Sequence, residues 1–187
     1  MLALSKKDIQ SVFSMKDAID ADKEAFRLLS EGKTDSPLRT NLKIPGGTGQ
    51  SLFMPAYVGE VGQAGVKIVS VFPDNVKKGL PAVPATMVLV SGETGIVLSV
   101  LDGTYLTQMR TGACAGAATD LLARKDASVG AIFGTGGQAP CQLEAILAVR
   151  DLELVRVFDV NREKAATFVD RMNDELSGYG ARIEVAD

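Results

Sequence analysis

The spacing of apolar residues changes along the chain, and the first clear period is helical. After Ser14, apolar residues recur every three or four positions, which predicts an amphipathic helix. Ser14 and Asp17 have the spacing of a capping box at its start. Gly32 is a plausible residue just past its end. A shorter helix, with Ser5 and Asp8 as a weaker capping pair, precedes it.

The middle of the chain has the shorter period of β-strands. Extended segments are predicted at about 38–44, 51–58 and 64–72, with strands at 84–90 and 96–101 around a Ser91–Gly95 turn. This part predicts an α+β arrangement with an antiparallel or mixed sheet. A long helix is then predicted over Asp102–Arg124. It is rich in small residues, which suit either close helix packing or a ligand.

From Val129 the pattern becomes β-α-β-α-β, and this change predicts a second domain. Strands are predicted at 129–133, 154–158 and 182–186, with a helix after each of the first two. The fold class is therefore α/β. An α+β substrate-binding and dimerisation domain over residues 1–126 precedes the first half of a Rossmann domain over 127–187, because a full doubly wound domain needs two such halves.

The turn after the first of these strands carries a Gly-x-Gly-x-x-Ala pattern. Gly134 allows a tight turn, Gly136 lets a pyrophosphate approach the backbone, and Ala139 lets the helix pack close to the strand. Asp159 ends the next strand, where an acid can bind ribose hydroxyls. The order of strand, turn, helix, strand and acid predicts dinucleotide binding. The alternative is a glycine-rich turn in a non-binding α/β domain.

Composition narrows the function classes. The net charge is −3 and no basic patch is evident, which argues against nucleic acid as a partner. The sequence contains no apolar run long enough for a membrane span and no signal-peptide pattern. Cys114 and Cys141 fall in predicted helices and are interpreted as buried thiols, so a reduced cytoplasmic location is expected. The 187 residues include no histidine, which excludes His-dependent triads and His-ligated zinc within this chain; no metal site is expected.

Three cations are candidate substrate ligands. The alternation of the strand places Lys67 on the same face as Val69 and Val71, and not with the polar positions of its strand. A lysine that faces solvent is the common alternative. Arg110 lies within the long helix, and Arg39 begins a strand after Pro37. Two arginines and a lysine could form a carboxylate clamp if the fold brought them together.

Several motifs together resemble the ornithine cyclodeaminase/mu-crystallin family, and the resemblance covers essentially the whole chain. They are Gly65-Val66-Lys67, Pro73-Asp74-Asn75, Gly79-Leu80-Pro81, Glu93-Thr94-Gly95, the run from Asp102-Gly103 through Leu106-Thr107 to Arg110-Thr111-Gly112-Ala113, and Gly134-Thr135-Gly136-Gly137-Gln138-Ala139. The resemblance implies a substrate and dimerisation domain joined to a Rossmann domain, and a homodimer.

The resemblance also implies roles and a reaction. Arg39, Lys67 and Arg110 would bind the substrate carboxylate, with Lys67 as the catalytic candidate. Thr111, Gly137 and Gln138 would contact the cofactor phosphates beside Gly134 and Gly136, and Asp159 would hold the adenosine ribose. Asp159 would repel a 2′-phosphate and so favours NAD, although Arg162 nearby keeps NADP as an alternative. The implied reaction is hydride transfer between nicotinamide and the Cα of an L-amino acid or its imine, as in ornithine cyclodeaminases, alanine dehydrogenases and ketimine reductases.

Two departures from the family pattern leave alternatives. Ornithine-specific members carry a glutamate before the Met-Pro of the substrate strand, where this chain has Leu52. The family's catalytic aspartate belongs to the second half of the Rossmann domain, which is expected to lie beyond Asp187. The resemblance therefore implies an enzyme, while a non-catalytic NAD(P)H-binding protein like mu-crystallin, or an inactive fragment, are the alternatives.

Overall fold

The computed structural model describes residues 1–46 and 48–186. Ten strands are present: β1 (Leu2–Leu4), β2 (Thr34–Asp35), β3 (Thr40–Lys43), β4 (Gln50–Val58), β5 (Gln63–Val71), β6 (Ala85–Ser91), β7 (Val97–Asp102), β8 (Val129–Phe133), β9 (Leu154–Phe158) and β10 (Arg182–Val185). Five α-helices accompany them within these residues: α1 (Lys6–Val12), α2 (Met15–Ser30), α3 (Gly103–Leu122), α4 (Ala139–Val149) and α5 (Arg162–Glu175).

The chain divides into two compact units. The first comprises Met1–Val12 and Ala25–Thr107, and the second comprises Phe13–Glu24 and Gln108–Asp187. Helices α2 and α3 therefore contribute residues to both units. The division into functional domains at residues 126 and 127 stays a prediction, and most of α3 belongs to the second unit.

The first unit contains a mixed sheet, as the strand pattern predicts. Its order is β1-β7-β6-β5-β4-β2, with β3 also paired to β4. All of these pairs are antiparallel except β1 with β7, which run parallel from Leu2 opposite Ser99. The sequence analysis missed β1, because three residues are too few to establish a period and its partner lies far along the chain.

Short polar side chains fix where three helices begin. The hydroxyls and backbone N–H groups of Ser5 and Ser14 both donate to the carboxylates of Asp8 and Asp17, so the two capping boxes have the same geometry. Asp102 caps α3 by accepting a hydrogen bond of 2.8 Å from the backbone N–H of Tyr105. The predicted long helix is confirmed and is two residues shorter at its C-terminus than expected.

The second unit contains the predicted β-α-β-α-β segment. Its strands are parallel in the order β10-β9-β8, which is the order of half a doubly wound sheet. Helices α4 and α5 connect the strands. One buried apolar cluster joins strands to helices, and its fully buried members are Leu143, Val155, Val157 and Met172.

The small residues of α3 allow close packing within the second unit. A Cβ added to Gly112 would lie 2.3 Å from the backbone oxygen of Cys141, so glycine is required there. A Cβ on Gly116 would lie 2.7 Å from the Ile19 side chain. Of the two thiols expected to be buried, Cys141 is buried and Cys114 is half-buried. Among the described residues, no helix is long and apolar enough to cross a membrane.

Candidate functional site

The glycine turn lies at the carboxyl end of β8 and begins with a left-handed residue. Gly134 has a φ of +89°, a left-handed backbone conformation that is strained for residues with a side chain. Its backbone N–H donates a hydrogen bond of 2.7 Å to the backbone oxygen of Phe158. The turn is thereby joined to the end of β9. The positive φ gives the physical reason for glycine at this position.

The next part of the turn leaves room for a ligand. A Cβ on Gly136 would contact nothing within 4 Å, and Gly136, Gly137 and Gln138 are all exposed. A cleft of about 400 Å³ is lined by these residues together with Gly134 and the start of α4. Because the first N–H groups of a helix have no partner within it, this end of α4 suits a phosphate.

Asp159 lies beside the same turn and is held by three hydrogen bonds. Its Oδ2 accepts from the backbone N–H and the hydroxyl of Thr135, both over 2.8 Å. Its Oδ1 accepts from the backbone N–H of Asn161 over 2.9 Å. The bonds from Asn161 and then Thr135 hold the pKa of the Asp159 carboxyl below its ordinary value. The carboxylate is therefore negatively charged at neutral pH.

Residues of α3 lie beside the turn, and the sequence predicted only some of them. The close approach of Gly112 to Cys141 places the Thr111–Gly112 segment against the first turn of α4. The Gln108 Nε2 atom lies 3.8 Å from the Cβ position of Gly137. Gln108 was missed because its neighbour belongs to a loop about thirty positions away, and no local pattern links the two.

Lys67 lies at the centre of an apolar row that crosses the first unit's sheet. The register pairs it with Met54 on β4 and Met87 on β6, and the row continues to Leu101 and Leu4. Directly opposed residues share a face of a sheet, so Lys67, which is half-buried, belongs to an apolar face. The expected grouping of Lys67 with Val69 agrees with this register.

The two candidate arginines are both exposed. Arg39 precedes β3, whose Thr40 pairs with Phe53, and so belongs to the first unit with Lys67. Arg110 belongs to α3 in the second unit. Burial raises the pKa of the Asp22 carboxyl on α2, and the charge of Arg110 opposes this shift. The convergence of Arg39, Lys67 and Arg110 on one substrate stays a prediction.

The parallel strands, the glycine turn and the acid after β9 are the features of the dinucleotide-binding class of α/β folds. A sequence model of the ornithine cyclodeaminase/mu-crystallin family matches residues 1–186. The chain belongs to this family.

Similar proteins include two dehydrogenase-type enzymes. An alanine dehydrogenase of Archaeoglobus fulgidus is 41% identical over 186 residues, covering 100% of this chain and 56% of that protein. A Delta(1)-pyrroline-2-carboxylate reductase of Bacillus cereus is 35% identical over 176 residues, covering 94% of this chain and 54% of that protein. The chain spans about half the length of these relatives.

Solved structures of the same two kinds of enzyme are also similar to this chain. Thermococcus litoralis Delta(1)-pyrroline-2-carboxylate reductase, in complex with NADH and L-proline, superposes with a TM-score of 0.92 at 40% identity, over 100% of this chain and 57% of that one. An archaeal alanine dehydrogenase dimer with bound NAD gives a TM-score of 0.89 at 41% identity, over 100% of this chain and 56% of that one.

Proposed function

We propose that this chain carries the NAD-binding turn and the substrate lysine of an NAD-dependent oxidoreductase. The substrate class is an L-amino acid or its imine, and the reaction is hydride transfer at Cα. The observation that carries the proposal is the pairing of the Gly134 turn with Asp159 at the ends of two adjacent parallel strands. Similarity to alanine dehydrogenase and pyrroline-carboxylate reductase supports the reaction class.

Different residues contact the phosphates and the ribose of the dinucleotide. Gly136, Gly137 and Gln138 present backbone N–H groups at the start of α4 to the phosphates, with Thr111 beside them. Asp159 accepts a hydrogen bond from a ribose hydroxyl, and its negative charge disfavours a 2′-phosphate. When bound, NAD supplies the hydride acceptor or donor, and the protein residues hold and orient the reactants.

The substrate residues are cationic. Lys67, Arg39 and Arg110 bind the carboxylate of the substrate, and Lys67 is the group we assign to proton transfer at the reacting nitrogen. Positively charged side chains are the groups that bind carboxylates in proteins, and an arginine can do so with two parallel hydrogen bonds.

The face around Lys67 favours a substrate with an apolar side chain. Leu52 and Met54 are two positions apart on β4, so they share the face of Lys67, and Leu52 is buried. A second amine, as in ornithine, would find no negative charge at Leu52. L-Alanine or a cyclic imine with one carboxylate is therefore preferred over L-ornithine.

The proposal is tested by calorimetric titration of the chain with NADH, followed by turnover assays. We expect micromolar NADH binding, together with NAD-dependent oxidation of L-alanine or NADH-dependent reduction of a cyclic imine in preference to turnover of L-ornithine. NADH binding without turnover of any of these favours the non-catalytic alternative. Absence of NADH binding by a cooperatively folding chain contradicts the proposal.

The ribose assignment has its own variant. Asp159→Ser removes the negative charge and should lower the preference for NADH over NADPH, as measured by titration with both. An unchanged ratio of the two dissociation constants contradicts the assignment. We further propose a homodimer, by analogy with the archaeal alanine dehydrogenase dimer, and light scattering of the purified chain measures it.

A further inference from the structure

The carboxylate of Asp159 is restrained on both oxygens, although Asp159 lies just after the last residue of β9, at the carboxyl end of the sheet. Thr135 donates twice to Oδ2 and Asn161 donates once to Oδ1. A carboxylate oxygen can accept two hydrogen bonds, and we assign Oδ1, which accepts from Asn161, as the oxygen that also accepts from a ligand. The glycine turn and the residues before α5 are thus connected through a single side chain.

The connection continues on both sides of Asp159. The Asn161 side chain caps α5 by accepting from the backbone N–H of Lys164 over 2.9 Å. On the other side, the Gly134 N–H donates to the Phe158 oxygen next to Asp159. Rotation of the Asp159 side chain would break bonds to two separate segments, so its orientation is set before any ligand arrives.

We propose that Thr135 is a positioning residue that fixes Asp159 and thereby sets the discrimination between NAD and NADP. This inference rests on the proposed NAD binding. Thr135 is more than a spacer between Gly134 and Gly136, because its hydroxyl and its N–H both contact the acid that faces the ribose. The fixed carboxylate presents Oδ1 to a ribose hydroxyl and is restrained from turning away from a 2′-phosphate.

NAD and NADP differ in the group that they bring to Asp159. A ribose hydroxyl donates to Oδ1 without disturbing the bonds from Thr135 and Asn161. A 2′-phosphate brings negative charge against a carboxylate that is kept ionised and held in place, and repulsion between like charges is relieved only by moving one of them. If the Thr135 hydroxyl is removed, the backbone bonds from Thr135 and Asn161 remain but one of the two bonds to Oδ2 is lost, so the carboxylate is held less firmly and the penalty for NADPH falls.

The experiment measures binding of NADH and of NADPH to the chain and to Thr135→Val, which keeps the shape of the side chain and removes its hydroxyl. We expect the preference for NADH to fall about tenfold in Thr135→Val, the size of effect of a hydrogen bond to a charged group. Thr135→Ser restores the hydroxyl and should restore the preference. Thr167→Val is the matched control, because the Thr167 hydroxyl donates to the Glu163 oxygen of its own helix over 3.0 Å.

A second measurement does not depend on a cofactor. Carboxyl NMR titration reports the pKa of Asp159, with Lys164 on α5 as the charged neighbour that also lowers it. Thr135→Val should raise this pKa, whereas Thr135→Ser and Thr167→Val should leave it unchanged. Thermal unfolding of each variant establishes that it is folded.

The outcomes separate this inference from the proposed function. If the wild-type chain binds NADH and Thr135→Val weakens both cofactors equally, Thr135 is merely structural and the inference is overturned. An unchanged Asp159 pKa in Thr135→Val overturns it as well. If the wild-type chain binds neither cofactor, the proposed function fails, and the role of Thr135 in discrimination fails with it, whatever the NMR titration gives.

Discussion

Arg150 and Asp120 form an ion pair of 3.0 Å between Nη1 and Oδ1, and it joins the end of α4 to the end of α3. The Arg150 side chain is only 4% exposed. Its guanidinium also donates to four carbonyl oxygens at or just beyond the end of α3, those of Thr119, Asp120, Ala123 and Arg124. One buried arginine therefore satisfies the last carbonyl groups of the helix that carries Arg110.

We expect Arg150→Met to lower the free energy of unfolding by about 3 kcal/mol, because it keeps the apolar stem but removes the ion pair with Asp120 and the hydrogen bonds from the guanidinium to the end of α3. Urea unfolding measures the change. Arg171→Met is the matched control, since Arg171 is exposed and its nearest carboxylate, that of Glu175, lies 3.8 Å away. Similar losses in both variants would contradict a special role for Arg150.

Acid unfolding should depend on Asp120. Hydrogen bonds from Lys23, then Arg150 and Lys125, hold the pKa of the Asp120 carboxyl well below its ordinary value of 3.8. A carboxyl with a lowered pKa in the folded state stabilises the fold above its ordinary value, and this contribution is lost as the pH falls below it. The melting temperature of the wild-type chain should therefore fall at acidic pH.

Asp120→Asn removes that titration, so its melting temperature should be lower at neutral pH and should fall less steeply on acidification. The melting temperature of Asp120→Asn should still fall somewhat at acidic pH, because hydrogen bonds also lower the pKa values of other carboxyls. These carboxyls are those of Asp8, Asp17, Glu31 and Asp159. Parallel pH profiles for the two proteins would show that Asp120 does not contribute.

Gly112→Ala should destabilise the second unit by about 1–3 kcal/mol, the usual cost of overpacking. The added Cβ meets the backbone of Cys141, which cannot move without shifting the first turn of α4. Gly116→Ala is the comparison, since its Cβ meets mainly the flexible end of Ile19, and helix propensity favours alanine over glycine. Equal melting temperatures for Gly112→Ala and the wild type would disprove this packing account.

If the proposed function holds, Lys67→Met should strongly reduce substrate turnover while keeping the fold. Methionine is apolar and similar in length, as the opposed residues Met54 and Met87 are, so the fold should be kept. Turnover should fall at least about a hundredfold if Lys67 carries the proton transfer. Lys77→Met, at an exposed position beside Asp74, should leave turnover unaltered. Retained turnover in Lys67→Met would contradict the catalytic role of Lys67 and indicate a structural one.

Local sequence patterns gave good predictions wherever the relevant neighbours are close in the chain. The helical period after Ser14, the alternation of the five strands of the middle segment and the β-α-β-α-β pattern from Val129 all match the structure. The capping residues are short-range contacts, so their spacing is enough. The glycine turn and Asp159 are recognisable because the order of elements constrains where the ends of parallel strands lie.

Contacts between distant segments were not predictable. The strand β1 exists because it pairs with β7, about a hundred positions later. Arg150 looks like an ordinary helix end in the sequence, and only the packed structure brings it to the end of α3. Gln108 beside Gly137, and the double contact of Thr135 with Asp159, likewise depend on side chains whose partners no local period identifies.

The sequence by itself determined the family, the order of helices and strands, and the residue types at the glycine turn, because each follows from short-range pattern or motif. The tertiary structure decided which face of the sheet carries Lys67, how α3 is held at its end, and how the carboxylate of Asp159 is oriented. These depend on strand register and on hydrogen bonds across the fold, which form only when the apolar surfaces of distant elements pack together.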